Sequence, residues 1–220
     1  MGGNTMYQKI IEYAEALDKI SRERRRDFHR YPETAWLEMR TSAVIAKVLT
    51  ELGYEVLTGK DVCLESSRLG VPSSEELKEH AERALLQGAP AEYLTEEMRA
   101  GFTGVIGILR CGEGPVTALR FDIDALGLTE DENVNHRPFA EGFASRNPGM
   151  MHGCGHDGHA AIGLGVAEVL MKIKDGLHGT VKLIFQPGEE GAKGACAIVA
   201  HGHLDDVDYL LLQADRMTEM

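Results

Sequence analysis

The chain has 220 residues, enough for one sizeable core, and a formal net charge of −12 that disfavours nucleic acid and anionic membranes as partners. No apolar run approaches the roughly 20 residues of a membrane span, and the polar residues 1–6 lack the features of a signal peptide. Cys63, Cys111 and Cys196 are widely spaced, so we expect free thiols in a reducing cytoplasm.

The first hundred residues are predicted to be mainly helical. The predicted elements are amphipathic helices over 5–26 and 41–52 and a short strand over 54–57. Over about 60–100 the chain becomes more charged, and Ser73 with Glu76 forms a capping-box pattern that opens a further helix. We interpret this stretch as a helical insert in the domain.

From residue 103 onward, β-branched runs alternate with helical periodicity. The predicted elements are strands over 105–109, 116–121, 180–185 and 208–212, and helices over 160–174 and 192–201. This alternation indicates an α/β fold, a mixed sheet flanked by helices. Asp122 with Asp124 and Glu189 with Glu190 each follow a predicted strand, so we expect both pairs, and the loop between them, to meet in one cleft.

Residues 150–159 contain three histidines, one cysteine and one aspartate, separated by glycines. Imidazole and thiolate bind transition metals well. In an extended loop, the alternate side chains of Cys154 and His156 point the same way, which predicts both as ligands of one metal ion. A buried thiol or a satisfied loop histidine is the alternative for each residue alone. His152 and His159 are expected to support the site rather than to bind the metal.

Two adjacent carboxylates follow the next strand. Glu189 and Glu190 lie between glycines, and on a strand-like loop they would point apart and have different functions. One would bind the metal, and the other would accept a proton from the attacking water. A solvated pair is the alternative. Asp122 and Asp124 could bind metal or hold a ligand in place, or could simply form a strand-end turn.

Five motifs are spread through most of the chain: Arg26-Asp27-Phe28-His29 with Pro32-Glu33, Glu38 with Arg40-Thr41, Phe121-Asp122-Ile123-Asp124-Ala125-Leu126, Met151-His152-Gly153-Cys154-Gly155-His156-Asp157-Gly158-His159, and Phe185-Gln186-Pro187-Gly188-Glu189-Glu190-Gly191. In this combination the sequence resembles the amidohydrolase branch of the aminoacylase/carboxypeptidase metallopeptidase family. The resemblance implies an α/β catalytic domain interrupted by a smaller dimerisation domain.

The resemblance also implies a site with two divalent metal ions, manganese or zinc. It implies that Cys154, His156 and Glu190 are metal ligands and that Glu189 is the general base. The expected reaction is hydrolysis of the amide bond of a small N-acyl amino acid, with p-aminobenzoyl-glutamate as the expected substrate. The complete enzyme is expected to be a dimer or a hetero-oligomer with a second subunit.

The C-terminal end departs from the family pattern. The family has a histidine ligand just after the strand predicted at 208–212, where this sequence has Ala214. We therefore expect 1–212 to be the N-terminal part of a catalytic domain without its dimerisation domain, and 213–220 to be a divergent tail. Two alternatives stay open: an inactive metal-binding fragment, and a general aminoacylase or carboxypeptidase.

Overall fold

A computed structural model of the chain describes residues 5–212. The predicted divergent tail, with Ala214, lies outside the described residues. None of the helices in the described part is both long and apolar enough to cross a membrane.

A five-stranded mixed sheet organises the chain, as the sequence predicted. Its strands are β1 (Glu55–Thr58), β2 (Val105–Arg110), β3 (Val116–Asp122), β4 (Thr180–Gln186) and β5 (Tyr209–Leu212). Their order across the sheet is β1-β2-β4-β3-β5. β3 runs parallel to β4 and β5, whereas β2 is antiparallel to β1 and β4. The parallel pairing brings the carboxyl ends of β3 and β4 to the same edge of the sheet.

Helices cover both faces of this sheet. They are α1 (Met6–Ala16), α2 (Asp18–Arg30), α3 (Met39–Leu52), α4 (Ser74–Leu86), α5 (Glu96–Arg99), α6 (Arg137–Ala140), α7 (His156–Ile173) and α8 (Gly194–Ala200). The single helix predicted at 5–26 is two helices, because the chain turns tightly at Leu17, whose N–H donates to the carbonyl of Ala14 only three residues back. In the predicted insert, the Ser73 hydroxyl accepts the Glu76 N–H and caps α4.

The core consists of two clusters, one on each face of the sheet. Successive side chains of β4 point to opposite faces, so Leu183 packs in the cluster with α3 and α7 while Ile184 packs in the cluster with α8. The last five residues of β4, from 182 to 186, are all buried. Both β3 and β4 end in buried residues, and the candidate site lies directly beyond those ends.

Gly163 lets α7 approach the sheet closely. A Cβ atom at Gly163 would lie 2.6 Å from a ring carbon of Phe185 and 2.9 Å from Phe121, whereas at Gly165 the nearest atom, Ser21 Oγ, would be 3.4 Å away. We expect Gly163→Ala to lower the free energy of unfolding by about 1–3 kcal/mol through overpacking. The matched control Gly165→Ala should be neutral or more stable by about 0.5–1 kcal/mol. Urea unfolding measures both, and equal stabilities would contradict the close approach.

Candidate metal centre

Three separate segments meet at the carboxyl edge of the sheet, as predicted. Asp122 at the end of β3 pairs in register with Gln186 at the end of β4. The residues that follow each strand therefore leave the sheet side by side. The α7 helix begins at the same edge with His156, four residues earlier than its predicted start. His156 is thus the first residue of a helix and not part of an extended loop.

His156 is buried and held in one orientation by Asp124. Its Nδ1 lies 2.9 Å from the backbone oxygen of Asp124, and because a carbonyl oxygen only accepts, Nδ1 carries the proton. The other nitrogen, Nε2, faces Glu189 Oε2 at 3.9 Å. Burial alone would lower the pKa of His156, but the hydrogen bond and negative charge of Asp124, with the charge of Asp122, raise it to about 9.

Glu189 and Glu190 both face His156. One carboxylate oxygen from each glutamate and one ring nitrogen of His156 lie within 4.8 Å of one another. The prediction that the two side chains point apart is therefore wrong. The pair lies in a turn, in which Gly188 and Ala192 have φ values of 58° and 56°, and not on a strand-like loop. This turn directs neighbouring side chains to the same side.

Cys154 completes the group from the loop that precedes α7. Its thiol is exposed, so the alternative of a buried structural cysteine is wrong. A hydrogen bond to Glu190, followed by partial burial and by the charges of Glu190, Glu189 and Asp124, raises the pKa of Cys154 to about 11. Asp124 also accepts the Glu190 N–H through Oδ2 at 2.9 Å. Asp124 therefore contacts both the histidine and the glutamate turn.

A second buried group adjoins the first. Asp122, His156 and His159 each offer one atom within 4.8 Å of the others. His159 Nδ1 lies 3.6 Å from Asp122 Oδ2, while Asp122 Oδ1 accepts a hydrogen bond from Arg120 Nε at 2.9 Å. Asp122 thus already has a cationic and an imidazole partner. The supporting function expected of His159 stays a prediction.

A buried network behind α7 was not predicted from the sequence. His29 bridges two carboxylates, with Nδ1 2.8 Å from Asp157 Oδ2 and Nε2 2.8 Å from Glu130 Oε1. Burial alone would lower the pKa of His29, but these two partners raise it. His152 is also buried, and burial lowers its pKa to about 4. Asp157 directly follows His156, so the network secures the first turn of α7.

The chain matches the model of peptidase family M20/M25/M40 over residues 118–217. It is 53% identical to a p-aminobenzoyl-glutamate hydrolase subunit of Escherichia coli over 84% of this chain and 42% of that protein. It is 51% identical to indole-3-acetyl-aspartic acid hydrolase of Enterobacter agglomerans over 91% of this chain and 46% of that protein. The chain therefore spans less than half the length of these curated relatives.

Solved structures show the same fold. An aminobenzoyl-glutamate utilization protein from Klebsiella pneumoniae has a TM-score of 0.76 and 40% identity, over 92% of this chain and 44% of that one. A Bacillus subtilis protein, described as a dinuclear metal binding peptidase from the M20 family, has a TM-score of 0.68 and 30% identity, over 93% of this chain and 45% of that one.

Proposed function

Because the chain belongs to peptidase family M20/M25/M40, we propose that it carries the metal site of an amidohydrolase that cleaves small N-acyl amino acids. We propose p-aminobenzoyl-glutamate as the substrate, with p-aminobenzoate and glutamate as products. The names of the Escherichia coli and Klebsiella pneumoniae relatives support this choice. The observation that carries the proposal is the convergence of His156, Glu189 and Glu190 at one edge of the sheet.

The residues present fit a divalent metal ion. Of the proposed ligands, His156 and Glu190 offer atoms within 4.8 Å of each other, and the thiol of Cys154 is hydrogen-bonded to Glu190. That thiol interacts electrostatically with three carboxylates, those of Asp124, Glu189 and Glu190. The group therefore carries excess negative charge. Imidazole and thiolate favour zinc, while carboxylates also suit manganese. We propose two such ions in the complete enzyme, supported by the dinuclear Bacillus subtilis relative.

In this proposal Cys154, His156 and Glu190 hold the metal. The ions supply Lewis acidity at the scissile carbonyl and favour deprotonation of water. Glu189 accepts the proton of the water whose oxygen attacks the carbonyl carbon, and then gives that proton to the departing amine nitrogen. Its side chain is 41% exposed, so substrate and water can reach it. Asp124 holds His156 with Nδ1 protonated, which leaves Nε2 as its metal-binding atom.

We further propose that the complete enzyme is a dimer or contains a second subunit, since the name of the Escherichia coli relative describes one subunit of a hydrolase. From the state of the cysteines, we propose that the protein is located in the reducing cytoplasm. All four cysteines, which lie within the described residues, are free thiols. Free thiols persist where the compartment is reducing.

The proposed reaction is tested by incubating the purified chain with Mn²⁺ or Zn²⁺ and p-aminobenzoyl-glutamate. We expect only slow release of p-aminobenzoate by the chain alone, because it has Ala214 where the family has a histidine ligand. That release should stop when EDTA removes the metal, because the ions supply the Lewis acid. Chromatography quantifies the product. p-Aminobenzamide, which has the same acyl group but no amino acid, is the matched control. If the chain binds metal tightly yet releases no product, hydrolysis is contradicted and the metal-binding alternative is favoured.

A further inference from the structure

Glu38 is a fully buried carboxylate, 0% exposed, whose side chain reaches the turn that carries Glu189 and Glu190. Its Oε1 accepts the N–H of Gly188 at 2.8 Å, and its Oε2 accepts the hydroxyl proton of Thr103 at 2.6 Å. The contact joins residues 150 positions apart in the chain. Burying a carboxyl group destabilises the fold unless its hydrogen bonds are satisfied. This contact therefore constrains the positions of both Glu38 and Gly188.

Glu38 stands at the N-cap of α3 but does not cap that helix with its side chain. The capping is done by Glu33, another fully buried carboxylate, which accepts the N–H groups of Arg40 and Thr41 at 2.9 Å each. The helix therefore does not need the carboxylate of Glu38. The side chain instead points away from α3 toward the turn beyond β4.

Gly188 governs the shape of that turn. Its φ is 58°, and its carbonyl oxygen accepts the N–H groups of Lys193 and Gly194 at 2.9 Å each. The carbonyl of Gly188 is thus used within the turn, and its N–H is left to bind a group outside the turn. Glu38 fixes this group, while Asp124 fixes the N–H of Glu190. Two buried carboxylates therefore hold the turn at two backbone positions.

We propose that Glu38 is a positioning residue that holds the Glu189–Glu190 turn in the geometry required for metal binding. The metal-binding part of this inference rests on the function proposed above, whereas the hold on the turn does not. Glu38 acts through the backbone of Gly188 and contacts neither substrate nor metal. Small displacements of a ligand-bearing turn reduce metal affinity, as changes around metal ligands do generally.

The test compares four variants of the full chain. Glu38→Ala removes the acceptor, and Glu38→Asp keeps the carboxyl group but is too short to reach Gly188. Glu38→Gln keeps an acceptor oxygen, and Glu33→Ala removes a buried carboxylate that does not touch the turn. Hydrogen exchange of the 188–194 amides reports on the turn without metal, and chelator competition measures Zn²⁺ affinity.

We expect Glu38→Ala and Glu38→Asp to speed exchange in 188–194 by about tenfold or more, because a buried N–H loses its acceptor. Their Zn²⁺ affinity should fall by about 10–100-fold. Glu38→Gln should keep both the exchange rate and the Zn²⁺ affinity at the native level. If Glu38→Ala fails to fold, the comparison of Glu38→Asp with Glu38→Gln in the same two measurements tests the inference.

Unchanged exchange in Glu38→Asp, or loosening of the turn by Glu33→Ala to the same extent, would overturn the inference. If the native chain binds no Zn²⁺, the proposed function fails, while the exchange data still decide whether Glu38 holds the turn.

Discussion

Glu189→Gln is expected to lower the rate of amide hydrolysis by about 10²–10⁴-fold, the usual contribution of a general base. Glutamine keeps the size and the hydrogen-bonding capacity of the side chain but cannot accept the proton of the attacking water. Metal content should stay at the native level, because Glu189 is not a ligand in the proposed site. Initial rates and elemental analysis on the same preparations measure both quantities.

The control for this experiment is Glu190→Gln. It changes the adjacent residue by the same atoms, and its carboxylate faces the same histidine. We expect it to reduce metal occupancy first and the rate as a consequence. If Glu189→Gln lost metal while Glu190→Gln kept it, the two assigned functions would be reversed. If neither variant changed rate or metal content, the pair would be solvated side chains without a function in the site.

The double variant Cys154→Ala with His156→Ala is expected to bind divalent metal at least about 10–100-fold more weakly than the native chain. It removes the thiol and the imidazole, the two softest donors of the proposed ligand set, and leaves only Glu190 of that set. Metal content after dialysis against Zn²⁺ at limiting concentrations measures the loss.

Cys196→Ala with His201→Ala is the matched control, because it removes an exposed cysteine and an exposed histidine at α8, outside the candidate site. This control should retain native metal content. Equal metal content in the two double variants would contradict the assignment of Cys154 and His156 as metal ligands.

Strands β2, β3 and β4 could be predicted because they contain β-branched residues and each begins directly after a glycine or a proline. The meeting of Asp124 with the Glu189–Glu190 turn followed from a general property of parallel strands, whose carboxyl ends share an edge. The direction of the two glutamates could not be predicted. It depends on left-handed backbone at Gly188 and at Ala192, and alanine rarely adopts that conformation.

The residues behind the ligands were beyond sequence reasoning for a different reason. His29 and Asp157 are 128 positions apart, and Glu38 and Gly188 are 150 apart. Both His29 and Glu38 belong to motifs that can be recognised in the sequence. Local residue spacing, however, does not predict which distant group a side chain contacts. The order of the strands and the packing of α2 against α7 and of α3 against β2 decide those pairings, and all of these are tertiary properties.

The parallel pairing of β3 with β4 also determines when the site can form during folding. The strands are separated in the chain by α6 and α7, so they can pair only after a long loop has closed. Every donor of the site lies beyond one of these strands or at the start of α7. In the proposed site, a metal ion would therefore meet Cys154, His156 and Glu190 together only late in folding. Its binding energy then adds to the native state and not to early intermediates.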